Sequence, residues 1–97
     1  MKGEGYLAIV RKEIIFHGRV QGVGFRFRAC NIARDLRLTG WCQNEYDGTV
    51  KAQVQGEEEN VYRLIKELNN SSYIVIDDVD IKNLEVDYHD SGFDVKY

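Results

Sequence analysis

A β-hairpin is the clearest local structure in the sequence. Residues 39–55 read TGWCQNEYDGTVKAQVQ. The Asp47-Gly48 pair at the centre of this stretch is a strong signal for a tight turn between two strands. The residues Val50–Gln55 alternate apolar and polar side chains, as in a strand with one buried and one solvated face. We therefore predict paired strands over Thr39–Gln43 and Val50–Gln55.

An amphipathic helix is predicted on each side of the hairpin. Before it, apolar side chains at positions i, i+4, i+7, i+8 and i+11 indicate a helix of about three turns; they belong to Phe25, Ala29, Ile32, Ala33 and Leu36. After it, the spacing i, i+3, i+4 and i+7 is shared by Val61, Leu64, Ile65 and Leu68. Three glutamates, Glu57–Glu59, precede the second helix, where negative charge favours the positive end of the helix dipole.

The outermost elements are predicted strands. Residues Arg11–His17 form a first strand, and Phe93–Tyr97 form a short final one. The segment Ile74–Tyr88 also reads as extended, but its apolar alternation changes parity on the way. We expect a bulge or turn near Lys82-Asn83 to explain that change.

The order of the elements is β-α-β-β-α-β followed by a short last strand. This order predicts an α+β fold, a ferredoxin-like βαββαβ sandwich with an antiparallel sheet and two helices on one face. The length of 97 residues suits a single domain spanning residues 1–97. We expect Trp41 to lie in its core.

Composition and charge narrow the class of protein. Hydrophobic residues make up 43% of the chain and charged residues 30%, as in an ordinary globular protein. No apolar run approaches the ~20 residues that cross a bilayer, and the start of the chain has no signal-peptide core. We therefore expect a cytoplasmic protein with no membrane partner.

The charge distribution favours a small anionic ligand. The formal net charge of −3 argues against a nucleic-acid partner held by phosphate contacts. Residues 17–37 nevertheless contain a single acid, Asp35, against five arginines: Arg19, Arg26, Arg28, Arg34 and Arg37. A local basic stretch on an acidic molecule suits a small anion better than a long polyanion.

The cysteines and histidines do not suggest a metal site. Cys30 and Cys42 lie twelve positions apart without a CxxC motif, and His17 and His89 have no recognisable ligand spacing. We expect no metal, and we interpret the two thiols as small core side chains. A disulfide between them stays open.

A glycine-rich loop precedes the first helix. Residues Gly18–Arg26 read GRVQGVGFR, with three glycines in seven positions. Such a loop aims several main-chain N–H groups at one point, and the helix dipole behind it favours a phosphate-sized anion. The guanidinium of Arg26 can reach back over the loop and match two phosphate oxygens at once. Considered alone, the stretch fits two interpretations equally well: an anion-binding loop, or a glycine turn beside a surface arginine.

Two stretches together resemble the acylphosphatase family. The loop Gly18–Arg26 looks like the family's GxVQGVxFR signature, and Gly40–Gly56 looks like its GWxxNxxDGTV…G signature. The end of the chain, Phe93–Tyr97, is similar to the family's closing strand. The resemblance runs from about Val10 to Tyr97, which leaves residues 1–9 as an N-terminal extension.

The resemblance implies a hydrolase that splits small acyl phosphates into a carboxylate and inorganic phosphate without metal or cofactor. By matching residues, Arg26 binds the phosphate and Asn44 holds the attacking water. The implied phosphate cradle is formed by the main chain of Gln21, Gly22, Val23, Gly24, Phe25 and Arg26. Inorganic phosphate is then expected as product and inhibitor, and the protein as a monomer.

Three other classes of protein remain as alternatives. An RNA-binding module shares the fold, but its sheet-face aromatic motif is missing. A small-ligand regulatory domain would use the anion loop without needing Asn44. Acylphosphatase-like domains also open large carbamoyl-transferring maturation proteins; because the chain ends just after its closing strand, we expect a freestanding protein.

Three side chains near the loop have competing interpretations. For His17 we favour packing in the strand over a role as phosphohistidine or general base. For Phe27 we slightly favour a scattered surface aromatic over the mouth of a site. Gln21 is open between contacting the ligand and bracing the loop.

Overall fold

The computed structural model describes residues 8–97, which form seven elements. In chain order these are β1 (Ile9–Arg19), α1 (Phe25–Asp35), β2 (Thr39–Asn44), β3 (Val50–Glu57), α2 (Glu58–Leu68), β4 (Val75–Leu84) and β5 (Phe93–Lys96). Most of the predicted N-terminal extension, residues 1–7, lies outside the described residues. Ile9 already belongs to β1, so this strand begins earlier than predicted.

The sheet has the order β4-β1-β3-β2-β5, and its first four strands pair antiparallel. Buried side chains of α1 and α2 share one core with alternate positions of the sheet. The predicted α+β ferredoxin-like sandwich with two helices on one face is confirmed. Both helices also bury the predicted stripes, apart from Leu36 and Ile65, which are partly buried against the core.

The short last strand departs from the antiparallel pattern. β5 pairs parallel with β2, with Gly40 opposite Phe93 and Cys42 opposite Val95. β5 is parallel to β2 because β4, the strand before β5 in the chain, lies at the other edge of the sheet. After β4 the chain crosses the sheet and reverses, so β5 runs antiparallel to β4 and in the same direction as β2.

The crossing segment, residues 85–92, is fixed by two polar side chains. Arg11 donates through Nη1 to Oδ2 of Asp90 at 2.8 Å. The amide of Gln55 donates to the carbonyl oxygen of Asp87 at 2.9 Å and accepts from its N–H at 2.8 Å. These contacts explain why Arg11 and Gln55 are buried on a sheet face without helices.

The prediction of a bulge or turn near Lys82-Asn83 is wrong. β4 pairs regularly with β1 through this region, with Leu84 opposite Arg11 and Lys82 opposite Glu13; the irregularity falls between His17 and Gly18. The apolar alternation along Ile74–Tyr88 changes parity because β4 ends at Leu84. Leu84 shares the face of Arg11, away from the helices, and the chain leaves the sheet after it.

The prediction that Trp41 lies in the core is also wrong. Trp41 is partly exposed on the sheet face opposite the helices, where the Lys96 ammonium lies 4.1 Å from its ring centroid. Side chains alternate along a strand, so only one of two neighbours faces the helices. In β2 the neighbour that does so is Cys42, which is completely buried.

Candidate active site

The β1–α1 loop holds its shape through two left-handed glycines. Gly22 and Gly24 have φ values of 73° and 78°. A Cβ at either position would meet open space, so the backbone conformation and not crowding requires glycine there. Gly24 is the N-cap of α1, and no side chain caps this helix end. The N–H groups of its first turn therefore remain available to a ligand in front of the helix.

Both ends of the loop are anchored in the core. Val20 and Phe25 are 1% and 2% exposed. The ring of Phe25 packs edge-on against Phe16, with the ring centroids 4.9 Å apart. The loop between these anchors is consequently short and tethered, which presets the directions of its N–H groups.

Gln21 ties the loop to the β2–β3 hairpin. Its Nε2 donates to the main-chain carbonyl oxygens of Glu45 and Thr49, each at 2.8 Å. The sequence left Gln21 open between contacting a ligand and bracing the loop. In the structure its side chain braces the loop. Its amide therefore fixes the distance between the glycine loop and the end of β2.

The hairpin turn fixes the end of β2 from the other side. Oδ1 of Asp47 accepts hydrogen bonds from the N–H of Thr49 at 3.0 Å and from its hydroxyl at 2.7 Å. These bonds from Thr49 lower the pKa of Asp47. Glu45 donates its N–H to the carbonyl of Thr49 at 2.9 Å, which closes the turn directly after Asn44. The predicted role of Asp47-Gly48 as the turn behind Asn44 is confirmed.

A cavity of about 370 Å³ opens in front of the loop and along α1. It is lined by Val20, Gly22, Gly24, Phe25, Arg26, Phe27, Cys30, Asn31, Arg34, Asn44, Val95 and Tyr97. The two predicted catalytic residues, Arg26 and Asn44, therefore share one cavity with most of the predicted cradle. Gln21 and Val23 are absent from its lining; Gln21 braces the hairpin, and Val23 packs partly against the core.

The Asn44 side chain has unused hydrogen-bonding capacity in this cavity wall. Its Oδ1 is buried and has no hydrogen-bond partner within residues 8–97. A buried polar atom without a partner costs about 1–3 kcal/mol. Such groups are rare in native proteins, and this one is free to accept a hydrogen bond from a molecule in the cavity.

Arg26 supplies positive charge at the loop end of the cavity. Its guanidinium lies 5.3 Å from the ring centroid of Tyr97, within the range of a cation–π contact. None of the ion pairs formed within the described part of the chain includes Arg26. Its charge is thus available to an anion in front of the loop.

Several lining residues were not found from the sequence. Tyr97 reaches the cavity because β5 pairs parallel with β2, a connection that no local pattern predicts. Arg34 could have been found, since it follows Arg26 by eight residues and shares its helix face. Phe27 is 74% exposed, as expected for a surface aromatic, and it also lines the cavity.

His17 lies on the sheet face without helices and is not part of the cavity. Its Nε2 is 2.7 Å from Oδ2 of Asp80, and its side chain is 40% exposed. His17 therefore has a structural place in β1, in line with the favoured interpretation, and contacts Asp80 across the sheet because β1 turns Phe16 and not His17 to the core. The hydrogen bond that His17 donates to the Asp80 carboxylate raises the pKa of His17, against the opposing effect of desolvation.

The two cysteines are free thiols in the core. Burial raises the pKa of both, that of Cys42 to about 12. Both thiols are consequently protonated at neutral pH, which leaves them inert as nucleophiles. Within residues 8–97, no cluster of three or more histidine, cysteine or acidic side chains could hold a metal ion.

An uncapped glycine loop, a guanidinium and an unsatisfied amide in one cavity are the groups that suit a protein acting on small phosphate-containing molecules. The comparisons with known proteins agree. The family model described as acylphosphatase matches residues 12–95. An acylphosphatase from Picrophilus torridus is 42% identical over 83 residues, covering 86% of this chain and 98% of the relative. One from Clostridium beijerinckii is 39% identical over 92% of this chain and all of the relative.

Solved structures are similar as well. The acylphosphatase from Bacillus subtilis has a TM-score of 0.83 at 28% identity, covering 93% of this chain and all of that one. Full-length HypF in its phosphate- and nucleotide-bound form has a TM-score of 0.82 at 31% identity, covering 95% of this chain and 12% of that one. The chain belongs to the acylphosphatase family and is an enzyme of that family. No helix within residues 8–97 is long and apolar enough to span a membrane.

Proposed function

We propose that this enzyme hydrolyses the carboxyl–phosphate bond of small acyl phosphates, giving a carboxylate and inorganic phosphate without a metal ion. The glycine loop and Arg26 hold the phosphate, and Asn44 holds the attacking water. The observation that carries this proposal is the unpaired Oδ1 of Asn44 in the wall of the cavity that Arg26 and the loop also line.

The phosphate end of the site combines two kinds of donor. The main-chain N–H groups from Gln21 to Arg26 approach the anion from the loop, supported by the positive end of the α1 dipole. The planar fork of Arg26 adds two parallel charge-assisted bonds. Because Phe25 and Gln21 fix the loop before any substrate binds, these donors need little reorganisation as charge develops.

The water is held by a neutral group. A carboxylate in the place of Asn44 would repel a phosphate dianion, whereas an amide accepts a hydrogen bond from water without adding negative charge. The Gln21 brace and the Asp47 turn both act on the residues directly beyond Asn44. They therefore set where the water lies relative to the phosphorus atom.

The reaction needs no general acid or general base from the protein. The leaving group is a carboxylate, whose conjugate acid has a pKa of about 4, so it departs without a general acid. The transferring phosphoryl group passes through a loose transition state with charge on its oxygens, which N–H groups and one guanidinium stabilise. A phosphate oxygen of the substrate takes the water proton, so no protein carboxylate or histidine acts as base.

The remaining parts of the proposal concern partners and location. The substrate is a small molecule, inorganic phosphate is product and competitive inhibitor, and no nucleic acid or membrane takes part. The protein acts as a monomer in the cytoplasm. Its net charge of −3 suits a small substrate that is captured by local positive charge at Arg26.

The deciding experiment compares two substrates in the presence of a metal chelator. We expect rapid hydrolysis of benzoyl phosphate and none of p-nitrophenyl phosphate, whose leaving group is a phenolate and not a carboxylate. Inorganic phosphate should raise the KM for benzoyl phosphate and leave kcat unchanged. Loss of benzoyl phosphate hydrolysis on chelation, or equal hydrolysis of both compounds, would contradict the proposal.

A further inference from the structure

The cavity extends well beyond the phosphate end as a groove between α1 and β5. One wall is the helix face that carries Arg26, Cys30 and Arg34 at intervals of four residues. The other wall is formed by Val95 and Tyr97 at the end of the chain. The proposed mechanism uses only the Arg26 end and leaves the remainder of the groove without a role.

The groove has a guanidinium at each end. At one end Arg26 lies against the Tyr97 ring. At the other end Nη2 of Arg34 donates to the carbonyl oxygen of Phe93 at 2.9 Å. Eight residues of helix span about 12 Å, and the four steps from Phe93 to Tyr97 span about 13 Å of strand. The length of helix between Arg26 and Arg34 and the length of strand between their contacts, Tyr97 and Phe93, agree. Both place the two arginines roughly 12 Å apart along the groove.

The floor between the arginines includes two apolar side chains, Cys30 and Val95, and the exposed Asn31 adds a polar group to the lining. Cys30 is buried, and its thiol is uncharged because burial raises its pKa. Val95 packs against the core beside it. A short hydrocarbon chain or an aromatic ring suits this middle section, whereas a charged group does not.

Arg34 keeps most of its hydrogen-bonding capacity at the far end. A guanidinium has five N–H donors, and one nitrogen of Arg34 is occupied by the Phe93 carbonyl. Asp94 is the carboxylate near it, at the long distance of 4.0 Å, and both side chains are more than half exposed. A ligand carboxylate entering along the groove would meet the fork at closer range and displace this weak pair.

We propose that Arg34 determines specificity by binding a carboxylate at the distal end of the acyl group. The enzyme then prefers acyl phosphates whose acyl part carries a second negative charge, with the phosphate at Arg26 and the tail along Cys30 and Val95. This inference rests on the proposed function, since it assigns the acyl end of the same substrate.

The test uses a matched pair of substrates, benzoyl phosphate and 4-carboxybenzoyl phosphate. The two share the reacting group and the ring, and differ by one carboxylate at the distal end. We expect the wild type to have the higher kcat/KM for the carboxylated compound. Arg34→Gln should reduce this preference about 3- to 10-fold, as for a partly exposed charge pair. Asp94→Asn should increase the preference, because it removes the competing carboxylate.

Arg28→Gln is the matched control. Arg28 is an exposed arginine on the same helix outside the cavity lining, so its loss changes the net charge equally. It should leave the ratio of the two kcat/KM values unchanged. An equal fall in this ratio for Arg28→Gln and Arg34→Gln would mean long-range attraction only, and would overturn the inference. The wild-type preference should also shrink as salt is added.

A binding measurement keeps the inference separate from the proposed function. Phenacylphosphonate and 4-carboxyphenacylphosphonate carry CH2 in place of the bridging oxygen of the two substrates, so they keep the same length but cannot be hydrolysed at the carbon–phosphorus bond. Their affinities are measured by calorimetry. We expect tighter binding of the carboxylated compound, with the difference reduced by Arg34→Gln and increased by Asp94→Asn. Equal affinities in the wild type overturn the role of Arg34. If the enzyme hydrolyses neither acyl phosphate but still binds the carboxylated phosphonate more tightly, the proposed function is wrong and the role of Arg34 stands.

Discussion

The side-chain amide of Gln21 donates a 2.8 Å hydrogen bond to the main-chain carbonyl of Glu45, the residue directly after Asn44. The same nitrogen reaches the carbonyl of Thr49 at 2.8 Å, on the other side of the hairpin turn. The glycine loop and the end of β2 at Asn44 are therefore held at a fixed separation by one side chain. The protein's own hydrogen bonds set this separation, which suits a site that works by preorganisation.

Gln21→Leu removes this brace while keeping a side chain of similar size. We expect the free energy of unfolding to fall by about 1–2 kcal/mol for two lost hydrogen bonds, and kcat for benzoyl phosphate to fall more than the affinity for inorganic phosphate. In the Asn44→Ala background the same change should have much less effect on kcat, because the group that it positions is gone. Fully additive effects on kcat in the double variant would contradict a positioning role.

Arg26→Lys replaces the planar fork by a point charge. We expect weaker phosphate binding, seen as a raised inhibition constant for inorganic phosphate, together with a fall in kcat/KM of about a hundred- to thousandfold. Arg28→Lys, at an exposed position two residues further on, is the control and should leave both constants near wild type. An unchanged inhibition constant in Arg26→Lys would show that the phosphate lies elsewhere.

Asn44→Ala separates binding from chemistry. The phosphate donors remain, so the inhibition constant for inorganic phosphate should stay within about twofold, while kcat falls roughly a hundred- to thousandfold. Asn70→Ala, an exposed asparagine just after α2, should change neither value. If the enzyme without the Asn44 amide turned over at a near-normal rate, the water would be held by another group.

The Cys42 thiol makes stability depend on pH in the alkaline range. Burial raises the pKa of Cys42 from its ordinary value of 9.0 to about 12. Between these values the unfolded chain releases a proton that the folded chain retains, so the free energy of unfolding falls by about 1.4 kcal/mol per pH unit. Urea unfolding of wild type and Cys42→Ala from pH 8 to 11 should show a shallower decline for the variant. Parallel curves would mean that the folded thiol ionises normally.

The local patterns predicted most of the fold. The stripe containing Ala29 and Ile32, and that containing Val61 and Leu64, are buried in helices at the predicted places. The Asp47-Gly48 turn lies between β2 and β3 as expected. These predictions succeeded because helix periodicity, strand alternation and turn conformation depend on neighbours in the sequence.

The sequence did not predict which face of the sheet is buried or how the edge strand β5 runs. Trp41 was assigned to the core, yet it lies on the sheet face without helices. Alternation along a strand tells which residues share a face, but the helices decide which face is buried. The direction of β5 depends likewise on how far the chain travels after β4, and no local signal sets that distance.

The sequence by itself predicted the elements and the glycine loop, because these depend on short-range spacing. It indicated Arg26 by its place at the end of that loop, and Asn44 by the resemblance to the acylphosphatase family. The tertiary structure alone decided that the Arg26 guanidinium, the Asn44 amide and the Tyr97 ring share one cavity. It also placed Arg34 at the far end of that cavity. Each of these groups comes from a different element or a distant turn, and only pairing of β2 with β3 and β5 beneath α1 brings them within reach of one small molecule.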